Sequence, residues 1–278
     1  MAKAAPQATV DLPKISSWFQ NGFHRFLTPY LKRHFQVIAV DKRDQLRALR
    51  EIDDREGVIV YANHPSWWDP LTAHFLNRKL FPERQFWAPI DAVALRQYEV
   101  FKKLGFFGVE ADSRSGAATF LKMSHAILED TDQAGRKTGA LWMTPEGRFT
   151  DARDHSGELM PGLSHLCHKL DAGVVLPLAM EYVFWDERLP LCLIKLGEPI
   201  RIADAPLRSK EDWRRRLISG LRDAQDELAD LAMDRRSEPF QNLLVGKSGA
   251  GGVYDMLRRT KAIFTGKRFK ASHGDPFS

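Results

Sequence analysis

The chain has 278 residues and a formal net charge of +5, and its shares of hydrophobic (44%) and charged (28%) residues are those of an ordinary globular protein. Its length predicts one large domain, or one domain with appendages. It has no run of about 18 apolar residues, and its start lacks the basic and apolar segments of a signal peptide, so neither a transmembrane helix nor a signal peptide is predicted. Two cysteines, Cys167 and Cys192, have neither metal-ligand spacing nor a disulfide pattern, which favours a reducing compartment.

Residues 1–34 are predicted to form a disordered start, over residues 1–13, followed by an amphipathic helix. Ser16 or Ser17 can cap the start of this helix, and Pro29 is expected to kink it or to split it in two. The helix either docks on its own domain or lies in the headgroup region of a membrane, and these two interpretations are compatible. Its polar face carries only positive charge, and its apolar residues recur at helical spacing: Ile15, Trp18, Phe19, Phe23, Phe26, Leu27, Tyr30 and Leu31.

From residue 35 to residue 235, predicted strands alternate with predicted helices. This alternation predicts an α/β domain with a single mixed, mostly parallel sheet flanked by helices. The strands are expected at 35–40, 58–62, 85–88, 106–110, 139–143, 173–180 and 191–196, and the helices at 44–52, 69–80, 91–103, 115–130, 161–171 and 209–234.

Positive charge is concentrated near the two ends of the chain. Residues 12–40 contain four basic residues and no acid, and residues 253–270 contain six basic residues and one acid. Residues 236–278 are interpreted as a linker followed by a basic C-terminal helix and tail. This distribution favours attachment to an anionic lipid surface. Nucleic-acid binding is not favoured, because the middle of the chain is mildly acidic and contains no RNA-reading motif.

A polar stretch follows the apolar run at 58–62. His64 leaves the end of this predicted strand, and Asp69 is expected to be the N-cap of the next helix, with Pro70 as its first residue. Five positions across a turn allow the carboxylate to reach the imidazole, which is the arrangement of a general base with an orienting partner. The alternative is a surface histidine in a turn that an aspartate caps.

A second polar stretch, residues 144–150, follows the predicted strand at 139–143. Gly147 permits close approach of the backbone to a ligand, and Arg148 offers a planar fork for phosphate or carboxylate. The alternative is a capped turn with a surface arginine. Arg114, after the strand at 106–110, is a weaker third candidate. Since ligands bind at the carboxyl ends of the strands in an α/β sheet, the first two stretches are expected to face one cleft.

These blocks resemble the glycerolipid (PlsC-type) acyltransferases, over roughly residues 35–200. His64 and Asp69 resemble the H-x-x-x-x-D signature of that family, residues 145–148 resemble its P-E-G-T-R-S block, and residues 175–178 resemble its later V-P-x block. The resemblance implies a peripheral enzyme on the cytoplasmic side of a membrane. It also implies transfer of a fatty acyl group from acyl-CoA or acyl carrier protein to a hydroxyl of a lysophospholipid such as 1-acylglycerol-3-phosphate, without a cofactor.

The resemblance also implies roles for individual residues. His64 is the general base that deprotonates the acceptor hydroxyl, and Asp69 fixes its tautomer, so that no covalent enzyme intermediate is needed. The head group of the acceptor is expected to bind to Arg114 and to the second block, and Pro177 is expected to shape the acyl or thioester region. The residues of the second block are Thr144, Pro145, Glu146, Gly147 and Arg148.

Two departures from the family pattern concern the acceptor. Arg148 follows Gly147 directly, without the intervening threonine, and Glu110 stands where a phosphate-binding arginine is expected, with Arg114 as the nearby substitute. A glutamate repels phosphate, so a sugar-bearing or amino lipid is the alternative acceptor. A non-catalytic lipid-binding protein on the same fold is a further alternative, although intact His64 and Asp69 argue against it. A metal site at residues 165–168 is not favoured, because no second ligand cluster accompanies it.

Overall fold

The computed structural model describes residues 12–50, 52–110, 113–205 and 209–247. The predicted disordered start lies almost wholly outside these residues, and the predicted basic C-terminal helix and tail lie outside them as well. The predicted fold class is confirmed, because the described residues form a single mixed, mostly parallel sheet with helices on both faces.

Among the described residues, nine strands form the sheet, in the order β4-β3-β5-β2-β6-β7-β1-β9, with β8 paired to β6. The pairs β6–β7, β1–β9 and β6–β8 are antiparallel, and the other five pairs are parallel. The strands are β1 Val37–Asp41, β2 Val58–Ala62, β3 Gln85–Asp91, β4 Phe106–Val109, β5 Gly139–Met143, β6 Val174–Val183, β7 Leu191–Leu196, β8 Ile200–Arg201 and β9 Phe240–Val245.

Helices cover both faces, so the central strands are buried on both sides. In β2, Val60 packs with the core beneath α1 and α3, whereas Tyr61 packs with the core beneath α5, α6 and α7. Burial on two faces explains why β2 is a continuous apolar run rather than an alternating one. The helices are α1 Ser17–His34, α2 Lys42–Arg50, α3 Asp69–Leu80, α4 Ala92–Gln97, α5 Arg114–Glu129, α6 Gly162–Lys169 and α7 Lys210–Asp234, with a 3₁₀ helix at Glu99–Leu104.

Helix α1 is docked on the domain along one side only. The Ser16 side chain accepts a hydrogen bond from the Phe19 N–H, as a cap should, and the helix continues through Pro29 without splitting. Leu27 and Leu31 are buried in the core, whereas Trp18 is 84% exposed. Phe26, which is also largely exposed, lies on the same outer face. Within the described part of the chain, no helix is long and apolar enough to span a bilayer.

The last strand, β9, corrects the predicted domain boundary at residue 235. Residues 236–278 were predicted as a linker and tail, yet β9 pairs antiparallel with β1 at the edge of the sheet. Phe240 and Leu244 are buried, while the residues between them are exposed or half-buried. A register shift opposite Ile38 and Ala39 interrupts the two-residue alternation, so the sequence pattern does not reveal the strand.

Candidate active site

The two polar stretches leave neighbouring strands at the same edge of the sheet. Strands β2 and β5 are parallel and adjacent, with Tyr61 opposite Met143. The turns that follow them are tied together, because the Thr150 N–H donates to the His64 carbonyl at 3.0 Å. On the other side of β2, the side chain of Asn63 exchanges two hydrogen bonds with the backbone of Met180 in β6, at 2.8 and 3.0 Å. The backbone that carries His64 is therefore held from both neighbouring strands.

His64 and Asp69 form a hydrogen-bonded pair in this turn. The Nδ1 atom of His64 lies 2.6 Å from Oδ2 of Asp69, and the two side chains are 18% and 2% exposed. Because an ionised carboxylate only accepts hydrogen bonds, this contact places the imidazole proton on Nδ1 and the lone pair on Nε2. Nε2 makes no hydrogen bond within the described residues and is free to accept a proton.

Asp69 is the first residue of α3 rather than its N-cap, which corrects the prediction by one position. The N-cap is Trp68, which makes no side-chain capping bond. The carboxylate turns back toward the loop, where Oδ2 also accepts the Ser66 N–H at 3.1 Å. Its other oxygen, Oδ1, accepts the hydroxyl of Tyr182 at 2.7 Å. Asp69 does not cap the helix, because its carboxylate oxygens contact the His64 imidazole, the Ser66 amide and the Tyr182 phenol instead.

The side chain of Glu146 fixes the backbone of His64 through a hydrogen bond. Its Oε2 accepts the His64 N–H at 3.0 Å and the Thr150 hydroxyl at 2.7 Å. Its Oε1 accepts from Nη1 of Arg222, in α7, at 2.8 Å. The glutamate side chain is completely buried in this ion pair. The predicted contact of Glu146 with a head group is therefore wrong, because both of its oxygens face inward and are satisfied.

Comparison with known proteins identifies the family. Residues 37–181 match the family model for acyltransferases, which is more than half of the chain. The chain belongs to the acyltransferase family. The resemblance seen in the motifs is thereby confirmed at the level of the family.

Beyond the family, the matches are more distant. A solved structure of a 1-acyl-sn-glycerophosphate acyltransferase, PlsC, from Thermotoga maritima is similar, with a TM-score of 0.47 and 16% sequence identity, over 76% of this chain and 78% of that one. No curated protein sequence matches the chain.

The rest of the second block lies beside His64 in this acyltransferase, since the Thr150 N–H donates to the His64 carbonyl. Gly147 has φ of 66°, in the left-handed region, and a Cβ there would lie 2.5 Å from the Met160 sulfur. Thr144 and Pro145 act through their carbonyls, which accept the N–H groups of Gly147 and Met160. Gly147 and Arg148 are exposed. These residues therefore form the turn that leaves only Gly147, Arg148 and the following side chain open to a ligand.

The following side chain, Phe149, lies against the ring of His64. It is 60% exposed, and its ring centroid lies 4.3 Å from that of His64. An exposed aromatic surface therefore lies beside the imidazole of His64. The sequence motif draws attention to Arg148 and gives no reason to select its neighbour.

Two predicted site residues lie away from His64. Pro177 is buried in β6 on the face toward α7, where it packs against Gly197 and Gly220, so it does not line the space beside His64. Arg114 is exposed at the start of α5, after β4. Strands β3 and β5 separate β4 from β2, a distance of about 14 Å at ordinary strand spacing. The structure brings Arg114 to the same edge, but not to His64.

Two contributors to the site, Tyr182 and Arg222, were not predicted. Tyr182 lies on the same face of β6 as Leu178, which stands opposite Ala62 at the end of β2. That position could be found from the alternation of β6 once the pairing of β6 with β2 is known. Arg222 is 76 residues away from Glu146 in the chain, and no local pattern signals their pairing. No group of three or more metal-ligating side chains occurs among the residues that the structure describes.

Proposed function

We propose that the protein transfers an acyl group from a thioester donor to a hydroxyl of a lipid acceptor, with His64 as the general base. The observation that carries the proposal is the 2.6 Å contact between His64 and Asp69, which leaves Nε2 available at the catalytic edge. Family membership supports the reaction class. Acyl-CoA or acyl carrier protein is the proposed donor, consumed as a cosubstrate rather than retained as a cofactor.

The proposed chemistry proceeds without a covalent enzyme intermediate. Nε2 of His64 takes the proton of the acceptor hydroxyl while the oxygen attacks the thioester carbonyl. The imidazolium that forms is stabilised by Asp69. The C–S bond then breaks, and the proton on Nε2 passes to the departing thiolate. The buried pair of Glu146 and Arg222 holds the His64 backbone in place during these steps.

The proposal is tested by offering full-length protein an acyl-CoA, and in a second series an acylated acyl carrier protein, with a panel of lysophospholipids, glycolipids and amino lipids. Formation of an ester or amide is followed by mass spectrometry of the lipid extract. An acylated product from one class names the acceptor. Binding of lipid without any product from either acyl-CoA or acyl carrier protein would contradict the proposal and support a non-catalytic lipid-binding protein.

The acceptor is proposed to be a lysophospholipid or a related lipid, and two features near His64 favour different alternatives. Of the nearby guanidiniums, Arg222 is paired with Glu146, and Arg153 is paired with Glu181 through two contacts of 2.8 and 3.1 Å. Arg148 is exposed and remains for a phosphate. Phe149, in contrast, offers an apolar surface to a sugar ring, which favours the non-phosphate alternative.

Substituting Arg148 with glutamine distinguishes a phosphate-bearing acceptor from a neutral glycolipid acceptor. If the acceptor carries a phosphate, KM for it is expected to rise by about 10- to 100-fold, because a charge-assisted hydrogen bond is lost. For a neutral glycolipid, KM stays at the wild-type value. Arg114→Gln is the matched control, since that exposed arginine lies at the same edge but three strands away from β2. Steady-state kinetics with both acceptor classes gives the answer, and an equal effect of the two substitutions would remove Arg148 from the site.

A membrane surface is the second proposed partner. The exposed face of α1 carries Trp18 and Phe26 beside Arg25, Lys32 and Arg33, and residues 12–40 contain no acid. Aromatic side chains beside basic ones suit the headgroup region of an anionic membrane. Trp67 and Phe184, which follow the carboxyl ends of β2 and β6, are also exposed and add apolar surface at the catalytic edge. The proposed location is peripheral, on the cytoplasmic side.

Replacing both Trp18 and Phe26 with serine is expected to weaken binding to anionic vesicles at least about tenfold, because apolar area is no longer buried in the interface. Both side chains are exposed, so folding should be unaffected. Met233→Ser, which alters an exposed apolar side chain of α7, is the control and should bind like wild type. Sedimentation with phosphatidylglycerol vesicles measures the change. Unaltered binding of the double variant would exclude α1 as the anchor.

A further inference from the structure

We propose that Tyr182 is a positioning residue that orients the carboxylate of Asp69 and limits how strongly it holds a protonated His64. This inference rests on the proposed function of His64 and Asp69. Tyr182 lies near the carboxyl end of β6, and its hydroxyl is 2.7 Å from Oδ1 of Asp69.

The two carboxylate oxygens of Asp69 have separate partners. Oδ2 faces Nδ1 of His64 at 2.6 Å and the Ser66 N–H at 3.1 Å. Oδ1 has the Tyr182 hydroxyl as its partner within the described residues. A phenol on Oδ1 restrains rotation of the carboxylate, and it thereby assists the Ser66 N–H in keeping Oδ2 directed at the imidazole.

The direction of the phenol proton follows from its neighbours. The Thr72 hydroxyl lies 3.2 Å from the Tyr182 hydroxyl, and either of these groups can donate to the other. The carboxylate of Asp69 is closer and can only accept, so the tyrosine proton points to Asp69 and Thr72 donates to the tyrosine oxygen. Thr72, Tyr182, Asp69 and His64 thus form one directed chain of hydrogen bonds.

The surroundings keep Tyr182 in its neutral, donating form. Burial raises the pKa of the Tyr182 phenol well above its usual range, and the neighbouring Cys192 and Asp69 raise it further. The Cys192 thiol of β7 is itself kept protonated, since burial raises its pKa.

The other charged groups near this chain are already paired. Glu146, whose carboxylate holds the His64 backbone, is neutralised by Arg222. Glu181, adjacent to Tyr182 in β6, is paired with Arg153. No other described charge therefore competes with the phenol for Oδ1 of Asp69.

The Tyr182 phenol also reduces the negative charge on Oδ2 of the Asp69 carboxylate. A hydrogen bond to an ionised oxygen stabilises the charge and draws electron density away from Oδ2. Without the phenol, Oδ2 keeps the imidazole and the Ser66 N–H as its partners, and its fuller negative charge binds a protonated His64 more strongly. His64 then accepts a proton from solvent at a higher pH. A histidine that is already protonated cannot act as the base, so activity on the acid side of the profile should be lost at a higher pH than in wild type.

The test compares Tyr182→Phe with Tyr61→Phe in the full-length protein. Tyr61 is also fully buried, and its hydroxyl donates to the Leu217 carbonyl at 3.0 Å, on the opposite face of the sheet. Each variant keeps its ring. Tyr61→Phe loses one buried hydrogen bond, whereas Tyr182→Phe loses the bond to Asp69 and the bond from Thr72, and only Tyr182→Phe affects Asp69. NMR of ring-labelled histidine follows the titration of His64 without any substrate, with the signal assigned by its absence in His64→Gln.

Tyr182→Phe is expected to move the His64 titration, and the acid limb of the pH dependence of kcat/KM, to higher pH. It should also lower kcat/KM at neutral pH by about 10- to 100-fold, the usual effect of losing a hydrogen bond to a charged group. Tyr61→Phe should match wild type in both measurements. A His64 titration in Tyr182→Phe equal to that of wild type would overturn the inference. Wild-type turnover by His64→Gln would instead overturn the proposed function.

Discussion

Replacing His64 with glutamine is expected to lower kcat/KM for acyl transfer by about a thousandfold or more. A positioned general base contributes roughly 10²- to 10⁴-fold, and an amide cannot take up the proton of the acceptor hydroxyl. The remaining rate reflects binding and orientation of the two substrates. Release of the free thiol of CoA, followed with a thiol reagent, measures the reaction directly.

The control for this substitution is His168→Gln. His168 is exposed in the last turn of α6, away from the turn that carries His64, and its replacement should leave the rate unchanged. His64 is 18% exposed and fills no core position, so its replacement should leave the fold intact. Thermal unfolding of both variants checks that the lower rate does not come from unfolded protein. A His64 variant with wild-type kcat/KM would exclude this histidine as the base.

Local patterns predict the elements that bring His64 and Asp69 together. The apolar runs at 58–62 and 139–143 are strands buried on both faces, and polar residues follow each of them at the carboxyl end. The five-residue separation of His64 and Asp69 is short enough for one turn to set their contact. These features depend on neighbours in the chain, which is why the sequence is sufficient to predict them.

The contacts that support the pair depend instead on strand order, which local patterns do not encode. Tyr182 reaches Asp69 because β6 lies beside β2, although the two residues are 113 positions apart. Arg222 reaches Glu146 because α7 packs against β6, beside the turn after β5. A motif shows that Glu146 matters but not which way its side chain points. For that reason the sequence suggested a contact with substrate where the structure has a buried ion pair.

Replacing Arg222 with methionine should therefore affect both stability and catalysis. Arg222 is 8% exposed, and its guanidinium also donates to the Gly157 carbonyl and to the side chain of Gln225, each at 2.7 Å. Its loss leaves the Glu146 carboxylate buried without a counter-charge. Breaking such a pair from one side costs about 3–5 kcal/mol of unfolding free energy. Urea denaturation measures this loss, and Arg214→Met, a more exposed pair on the same helix, should cost at most about 1 kcal/mol.

A second substitution distinguishes the effect of the uncompensated Glu146 charge on stability from the effect of the ion pair on the position of His64. Adding Glu146→Gln to Arg222→Met removes the uncompensated charge, so most of the lost stability should return. The glutamine oxygen can still accept the His64 N–H, but no cation or fixed ion pair holds it in place. We therefore expect the double variant to regain its unfolding free energy while kcat/KM stays well below wild type. Recovery of both quantities together would mean that the ion pair serves the fold alone and does not position His64.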